Sequence, residues 1–319
     1  MNDTWLITGG TGSFGQAITK TILNELEPKS IRILSRGELL QSQMESKFND
    51  KRLRFFIGDV RDRDRLNLAM RGCDIVIHAA ALKRVEIAEY NPRECLLTNC
   101  IGSINVFEIA IENNVSKIIA LSSDKGCHAV NLYGMTKAVM ERLAIQYNTF
   151  SRGKTKISCT RWGNILSSRG SVITIFKEQA KSGEITITDT RMTRFLLSLD
   201  QAVHFLINCT KFMRGGEIFV LKSPSVNIID MAKIIGPQCK IRITGIRPGE
   251  KLHETLLTSD EARHTQEQFD FYTIIPEFNF WSEDTYIDKT GNPLPEGFEL
   301  NSLSAGKLSK EELELMLKE

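Results

Sequence analysis

The sequence predicts an α/β protein built on a doubly wound parallel sheet, and three observations support this. Short β-rich runs alternate with longer helical patterns through the first half of the chain. A glycine-rich loop follows the first run and precedes the first helical pattern. Strands separated by helices require right-handed crossovers, which give a parallel sheet with helices on both faces. Ligands of such folds bind at the carboxyl ends of the strands.

The elements can be predicted in chain order. Predicted strands cover residues 5–8, 31–34, 53–57, 74–78, 117–121 and 156–160. Predicted helices cover residues 14–26, a polar stretch ending near 48, 92–113 and 132–150. After about residue 161 the pattern becomes irregular, with Gly, Ser, Pro and Arg clustered in loops. The last residues, including 310–315, predict a short amphipathic helix.

Composition excludes several classes of protein. The 319 residues suffice for two domains or one large α/β unit. With 41 basic and 39 acidic side chains the net charge is +2, which argues against a nucleic-acid-binding protein because phosphate binding needs a strongly basic face. No apolar run approaches the length of a membrane span, and the first residues do not resemble a signal peptide. We therefore expect neither nucleic acid nor membrane as a partner.

Cysteine usage predicts a reducing compartment. The seven cysteines are odd in number, and no Cys-x-x-Cys pair occurs. This pattern fits neither a disulfide framework nor a zinc site. We expect free, buried thiols in a cytoplasmic protein without a bound metal.

The loop after the first strand predicts a dinucleotide site. Gly9 permits the tight turn, Gly12 lets the backbone approach a pyrophosphate, and Gly15 allows close packing of helix on strand. The helix N-terminus then offers free N–H groups to the anion. The predicted cofactor contacts here are Thr8, Gly9, Thr11, Gly12, Ser13, Phe14 and Gly15.

The ends of the next strands indicate which dinucleotide binds. An NAD site usually has an acidic residue at the end of the second strand, whereas Ser35 and Arg36 stand here. Arginine suits a 2′-phosphate, so we expect NADP; the alternative is that Arg36 is a solvated surface residue. Asp59 and Val60 are expected at the adenine. The small residues Ala79, Ala80 and Ala81 would let the cofactor pass.

Tyr133 and Lys137 predict a catalytic pair. Their i,i+4 spacing places both on one helix face. A nearby ammonium group lowers the pKa of a tyrosine, and such a tyrosine can take a proton from a sugar hydroxyl while hydride leaves. We therefore expect Lys137 to lower the pKa of Tyr133.

These motifs resemble the extended short-chain dehydrogenases/reductases that act on nucleotide sugars. The glycine loop, Asn99 and the Tyr133–Lys137 pair carry that resemblance, which implies a Rossmann-like fold, homo-oligomers, and cofactor contacts that include Asn99 and Lys83. A narrower resemblance is to the inverting UDP-N-acetylglucosamine 4,6-dehydratases. The runs that carry it are 56–62, 78–83, 88–92, 123–125, 191–195 and 245–254.

The narrower resemblance implies roles for Ser123, Asp124 and Lys125. Tyr133 would deprotonate the C4 hydroxyl, Lys125 would remove the C5 proton, and Asp124 would protonate the leaving C6 hydroxyl. Ser123, where the family more often has threonine, would bind the C4 oxygen. We expect burial and Lys137 to lower the pKa of Lys125 so that it acts as a base. The alternative is a structural ion pair at the strand end.

Further residues are candidates for the substrate side. The resemblance assigns Asn164 and Arg247 to the diphosphate and Glu250 to the uridine ribose, whereas each arginine taken alone could equally be solvated. His128 is close enough in sequence to Lys125 to suggest a second acid–base group. The remaining candidates are Lys83, Arg169, Arg191 and Arg194.

We predict that residues 1–163, with a returning segment at about 190–222, form the NADP-binding domain. Residues 164–189 and 223–319 would form a smaller α/β region that binds the UDP-sugar. The function expected is C5-inverting 4,6-dehydration of UDP-N-acetylglucosamine. Three alternatives stay open: a 4-epimerase, a dehydratase of another nucleotide diphosphate hexosamine, and a catalytically silent nucleotide-sensing or scaffold protein.

Overall fold

A computed structural model describes residues 2–166, 171–278 and 291–318 of the chain. The strands are β1 (Thr4–Thr8), β2 (Ser30–Ser35), β3 (Leu53–Ile57), β4 (Ile75–His78), β5 (Lys117–Leu121), β6 (Lys156–Arg161), β7 (Asn164–Ile165), β8 (Glu184–Ile187), β9 (Thr193–Leu197), β10 (Ile218–Leu221), β11 (Ser225–Asn227), β12 (Lys240–Ile243), β13 (Thr255–Leu257), β14 (Thr265–Glu267), β15 (Phe271–Ile274), β16 (Asn292–Pro293) and β17 (Leu300–Asn301).

Helices alternate with these strands through the first half of the chain. The α-helices are α1 (Ser13–Glu25), α2 (Glu38–Phe48), α3 (Arg63–Met70), α4 (Val85–Tyr90), α5 (Pro92–Leu96), α6 (Gly102–Glu112), α7 (Leu132–Ser151), α8 (Val172–Ala180), α9 (Leu199–Phe212), α10 (Ile228–Ile235), α11 (Ser259–Ala262) and α12 (Lys310–Lys318). A π-helical turn (Leu97–Ile101) joins α5 to α6, and a 3-10 turn (Asp124–Gly126) follows β5.

Ten strands form the central sheet in the order β16–β14–β15–β10–β6–β5–β4–β1–β2–β3. The strands from β10 to β3 run parallel, and β15, β14 and β16 add an antiparallel edge. The order reverses at β1, because β2 and β3 lie on one side and β4 to β6 on the other. Such a reversal opens a crevice at the carboxyl ends of the strands. The predicted doubly wound α/β fold is confirmed.

Apolar side chains cover both faces of this sheet. In β1, Leu6 belongs to the core on one face, whereas Trp5 and Ile7 belong to the core on the other, as the alternation of side chains along a strand requires. Strands β1 and β4 are buried along their whole length, which explains their continuous apolar sequence.

The predicted helices are present, with one difference. The stretch predicted as a single helix at 92–113 is interrupted by the π-helical turn, which carries Asn99. Wider turns of this kind often occur at functional sites. Among the described residues, only this stretch, Pro92–Glu112, is long and apolar enough to cross a membrane by length and composition. Of its most apolar window, 61% is buried inside the protein, as in the core helices of globular proteins.

A smaller layer of structure covers one end of the sheet. Strands β7, β9 and β11 form one small sheet, and β8 with β12 and β13 with β17 form two pairs. The predicted C-terminal helix is α12, whose Leu313 and Leu317 are buried in the core of this layer. Part of the range 223–319 joins the central sheet instead, since β14, β15 and β16 pair there. The division into cofactor and substrate regions stays a prediction.

Candidate active site

A cleft of about 880 Å³ lies at the carboxyl ends of the parallel strands. Most of the residues that we predicted for the cofactor and for catalysis line this cleft. These are Gly9, Thr11, Gly12, Ser13, Phe14, Gly15, Ser35, Arg36, Asp59, Val60, Ala79, Ala80, Ala81, Lys83, Ser123, Asp124, Lys125, Tyr133 and Lys137, together with Asn164.

The loop between β1 and α1 is packed too tightly for side chains. Gly9 has a φ of +69°, and a Cβ there would lie 2.9 Å from the Cα and N of Ala80. A Cβ on Gly15 would collide with the carbonyl oxygen of Gly10. Gly12 caps α1 and has no side chain, so no side-chain cap covers the N-terminus of the helix where it borders the cleft. This arrangement fits a pyrophosphate.

Arg36 and Asp59 lie at the adjacent strand ends. The Arg36 side chain is 59% exposed, and its Nη1 lies 3.9 Å from Asp59 Oδ2. Burial alone would raise the pKa of Asp59, but the hydrogen bond from Arg61 and the charges of Arg61 and Arg36 outweigh it and lower this pKa. Arg36 is therefore an available cation at the edge of the cleft.

Two predicted cofactor contacts, Thr8 and Asn99, do not line the cleft. Thr8 is fully buried, and its Oγ1 accepts a hydrogen bond from Ala80 N. Asn99 Oδ1 accepts from Leu82 N, and its Nδ2 donates to the Leu82 carbonyl and to Thr136 Oγ1, both at 3.0 Å. Both side chains hold other backbone segments in place, so their polar atoms are already committed. The structure does not place these two side chains at the cleft, and their assignment as cofactor contacts stays a prediction.

Tyr133 and Lys137 lie on the first turns of α7 and are both buried. Lys137 Nζ donates to the Leu121 carbonyl at 2.6 Å, and burial lowers its pKa to about 8. Burial raises the pKa of Tyr133 to about 12; Lys125 acts against this shift and Asp124 adds to it. Lys125 is therefore a cation that favours tyrosinate, and the pKa of Tyr133 is raised overall, whereas we expected it to be lowered.

The turn after β5 places an acid–base pair beside Tyr133. Asp124 is fully buried, and its Oδ1 accepts hydrogen bonds from Ser123 Oγ at 2.7 Å and from Lys125 Nζ at 3.0 Å. Among the described residues, nothing hydrogen-bonds Asp124 Oδ2. At Gly134 a Cβ would collide with the Lys125 carbonyl oxygen, so glycine lets α7 approach this turn closely.

The pKa of Lys125 differs from our expectation. Burial lowers it, as we predicted, but the negative charges of Asp124 and Glu254 outweigh burial and raise this pKa overall. Lys83, which also lines the cleft, has its pKa lowered by burial and by the charges of Arg84 and Lys125. Lys125 is therefore an ammonium paired with a carboxylate, and it becomes a base only after it gives up a proton.

The predicted substrate residues are only partly brought together. Asn164 lines the cleft, and its Oδ1 has no hydrogen-bond partner among the described residues. Arg247 is exposed, pairs with Glu86 at 3.0 Å, and donates from its backbone N to Glu250 Oε2 at 3.2 Å. Neither Arg247 nor Glu250 lines the cleft. Asn131, at the start of α7, donates to the Gly249 carbonyl and so holds this loop beside the cleft.

Two other candidates, Arg191 and Arg194, do not lie at the cleft in the described structure. Arg191 is exposed and pairs with Asp189 at 2.7 Å. Arg194 donates to the carbonyls of Leu252 and Lys251, so its guanidinium braces a loop. These positions do not support the predicted substrate contacts. Arg169 lies outside the described residues.

His128 is exposed with a φ of +46°, and it does not line the cleft. Nothing in its position supports a second acid–base role. Sequence reasoning missed Glu254, a buried carboxylate 3.8 Å from Lys125 Nζ. An acidic residue directly before the apolar strand β13 was the available signal, because buried carboxylates need cationic partners.

Comparison with known proteins gives a consistent result. The family of polysaccharide biosynthesis proteins matches residues 5–276. A UDP-N-acetylglucosamine 4,6-dehydratase (inverting) of Campylobacter jejuni serotype O:2 is 47% identical over 305 residues, which cover 93% of this chain and 91% of that protein. A UDP-glucose 4-epimerase of Rickettsia canadensis is 44% identical over 285 residues, 86% of this chain and 83% of that protein.

Among solved structures, Pen from Bacillus thuringiensis superposes with a TM-score of 0.90 at 36% identity. The match covers 100% of this chain and 99% of that one. The chain therefore belongs to the polysaccharide biosynthesis protein family, within the extended short-chain dehydrogenases/reductases.

Proposed function

We propose that the protein is a hydro-lyase that catalyses the 4,6-dehydration of UDP-N-acetylglucosamine with inversion at C5. The product is UDP-2-acetamido-2,6-dideoxy-β-L-arabino-hexos-4-ulose. The Asp124–Lys125 pair beside Tyr133 carries this proposal, because elimination of water across C5 and C6 needs an acid and a base together. The Campylobacter relative, whose printed activity is this one, supports it.

The cofactor proposed is NADP. The glycine cradle fits a dinucleotide, since Cβ atoms at Gly9 or Gly15 would occupy backbone positions. Arg36 favours the 2′-phosphate over a free ribose hydroxyl, because it is a largely exposed guanidinium at the end of β2. When bound, the nicotinamide would accept hydride from C4 and later return it to C6, so the reaction has no net redox change.

Proton transfer is the work of the chain's own residues. In its tyrosinate form, which Lys125 favours, Tyr133 would take the proton of the C4 hydroxyl while the C4 hydride leaves to the bound cofactor, and the resulting 4-keto group would acidify the C5 proton. Lys125 Nζ and Asp124 Oδ1 share one proton over 3.0 Å. Moving that proton to Asp124 creates the neutral amine and the protonated acid at once. Lys125 then removes the C5 proton while Asp124 protonates the C6 oxygen, which leaves as water.

A 4-epimerase is the second candidate, favoured by the Rickettsia relative. It would use Tyr133 to oxidise C4 but would leave C5 and C6 untouched. The acid–base pair would then have no chemical task. A dehydratase of another nucleotide diphosphate hexosamine keeps the same chemistry, and the residues that line the cleft do not choose between nucleotide bases.

Incubation with UDP-N-acetylglucosamine in D₂O tests the proposal. We expect NMR of the product to show a methyl group at C6, a 4-keto group and deuterium at C5, and we expect mass spectrometry of the released cofactor to show NADP. Lys125→Met, which keeps the length of the side chain, should abolish deuterium incorporation. An unchanged hydroxymethyl group, with a mixture of C4 epimers, would establish the epimerase instead.

We further propose that the protein works as a homo-oligomer in the cytoplasm. All seven cysteines lie in the described part of the chain and are free, which suits a reducing compartment. Exposed apolar side chains occur on α4, α5, the π-helical turn and α7, and they offer a surface for a second copy. These are Ile87, Tyr90, Leu96, Ile101, Met135 and Val139. Light scattering after gel filtration measures the oligomeric state.

A further inference from the structure

Glu254 is a buried carboxylate surrounded by three cations. Its Oε1 lies 3.8 Å from Lys125 Nζ and 3.8 Å from Arg194 Nε, and its Oε2 lies 3.4 Å from Lys251 Nζ. The side chain is only 4% exposed. Within the described structure, Oε2 accepts no hydrogen bond. A buried carboxylate held by charge alone costs free energy, so a role in the chemistry would explain its presence.

The backbone holds this carboxylate in place. Glu254 N donates to Ser302 Oγ at 2.9 Å, and Ser302 N donates to the Glu254 carbonyl at 2.8 Å. Ser302 is fully buried and shares a hydrogen bond with Thr193 Oγ1 at 2.7 Å. The backbone of Glu254 is therefore fixed beside Thr193 of β9 and Ser302, the residue after β17, and this anchors the point from which the carboxylate extends.

Two of the three cations are committed elsewhere. Lys251 Nζ donates to the Cys127 carbonyl at 2.7 Å, and Arg194 donates to the carbonyls of Leu252 and Lys251. Lys125 is the one cation of the three that lines the cleft. A change of charge at Lys125 is therefore the event that this carboxylate can influence.

We infer that Glu254 is a positioning residue that stabilises the Lys125 ammonium formed when Lys125 takes the C5 proton. This inference rests on the proposed function and deepens it. In that step the C5–H bond breaks, an N–H bond forms on Lys125, and the electron pair forms the C5–C6 double bond. Asp124 gives its proton to the C6 oxygen, and the C6–O bond breaks to release water. Glu254 touches no substrate atom and acts through Lys125.

Other charged and titratable groups face Lys125 as well. Asp124 changes charge during the step, so it cannot stabilise both states of the amine. Arg194 and Lys83 disfavour the ammonium form, and Tyr133 exchanges its own proton with the substrate. Glu254 is the buried carboxylate near Lys125 that takes no part in the proton transfers of this step.

Glu254→Gln tests the inference, because it keeps the shape and removes the charge. We expect deuterium incorporation at C5 and product formation to slow about 10- to 100-fold, while oxidation at C4, followed by absorbance of the reduced nicotinamide, stays close to wild type. In protein labelled with ¹³C at lysine Cε, the pKa of Lys125 should fall by about one unit or more. The signal absent from Lys125→Met identifies Lys125.

Glu299→Gln is the matched control. Glu299 directly precedes β17, just as Glu254 directly precedes β13 in the same strand pair. It is half-buried, accepts hydrogen bonds from Thr255 and Asn301, and pairs with no cation among the described residues. In Glu299→Gln, we expect the pKa of Lys125 and the rate of deuterium incorporation at C5 to match wild type. Glu254→Asp, which keeps the charge but retracts it, should restore part of the exchange rate, and this comparison carries the test if Glu254→Gln does not fold.

An unchanged Lys125 pKa in Glu254→Gln, or an equal loss of C4 oxidation and C5 exchange, would overturn the inference and make Glu254 a structural residue only. Failure of the proposed function is distinguishable from this result. It would be seen in the wild type as absence of the deuterated 6-deoxy-4-keto product, whereas the NMR titration of Lys125 needs no turnover.

Discussion

Two buried clusters of charge in the described part of the chain are built in opposite ways. In the first, Arg161 donates to Glu141 and Glu261 at 2.7–3.0 Å and to the Leu256 carbonyl at 2.8 Å. In the second, Glu254 lies 3.4–3.8 Å from its cations, and both Glu254 Oε2 and Asp124 Oδ2 lack hydrogen-bond partners among the described residues.

The difference teaches how to distinguish a structural charge cluster from a reactive one. Buried polar atoms usually have hydrogen-bond partners, and the Arg161 cluster, none of whose three side chains lines the cleft, obeys that rule. The cluster at Lys125 leaves oxygen atoms unsatisfied beside the cleft, where a substrate or a moving proton would reach them. We call these the Arg161 cluster and the Lys125 cluster below.

The largest effect is expected from breaking the Arg161 cluster. Arg161→Met leaves Glu141 and Glu261 buried without their cation, and removal of one partner from a buried ion pair costs about 3–5 kcal/mol. Chemical denaturation should show this loss in the free energy of unfolding. A loss below about 1 kcal/mol would mean that water reaches the carboxylates, and the comparison would fail.

The second largest effect is expected when the pH is lowered, because acid should weaken the Arg161 cluster. Burial alone would raise the pKa of Glu261, but Arg161 outweighs it and lowers this pKa to about 2 from the usual 4.5. A carboxyl group with a depressed folded-state pKa contributes stability that is complete above pH 4.5 and lost as the pH falls towards 2.

The expected loss is about 3 kcal/mol, and Glu261→Gln should flatten the dependence of unfolding free energy on pH across that window. Denaturant titrations at several pH values measure this slope. An equally steep slope in Glu261→Gln would assign the acid sensitivity to other carboxylates.

The smallest change in stability is expected in the Lys125 cluster. Asp124→Asn keeps an amide oxygen that can accept from Ser123 and Lys125. Lys125 also retains Glu254 as a counter-charge, so the free energy of unfolding should stay within about 1 kcal/mol of wild type. Product formation should nevertheless fall by a hundredfold or more, since an amide cannot donate the proton that the C6 hydroxyl needs. A variant that unfolds like Arg161→Met would show that both clusters are structural.

Much of the cofactor side could be predicted from the sequence, because its signals are local. Each of these signals spans only a few residues: the glycine loop, the strand end at Arg36, the strand end at Asp59 and the Tyr133–Lys137 spacing. The spacing of apolar residues and the residues typical of turns are signals of the same short range, so they also predicted the parallel strands. The π-helical turn at Asn99 has no such signal, since its sequence is as apolar as the helices beside it.

The substrate side could be predicted less well, because its contacts join distant parts of the chain. Glu254 meets Lys125 across 129 positions, and only the fold brings the two together. The pKa of Lys125 was predicted in the wrong direction, because burial was foreseen whereas the raising charges of Asp124 and of the distant Glu254 were not weighed against it. The sequence around the arginines in the later loops could not show whether a given arginine binds the substrate or, like Arg194, holds a loop through backbone carbonyls.

The close approach at Gly134 has a consequence for engineering. Because any side chain there would push α7 away from the turn at Lys125, the segment from Ser122 to Lys137 behaves as one indivisible cassette. Moving Tyr133 and Lys137 into a related scaffold without that glycine would keep the motif residues but lose the close approach of α7 to the turn at Lys125. A designer who wants to exchange chemistries between members of this family should therefore graft the whole segment, turn and helix together.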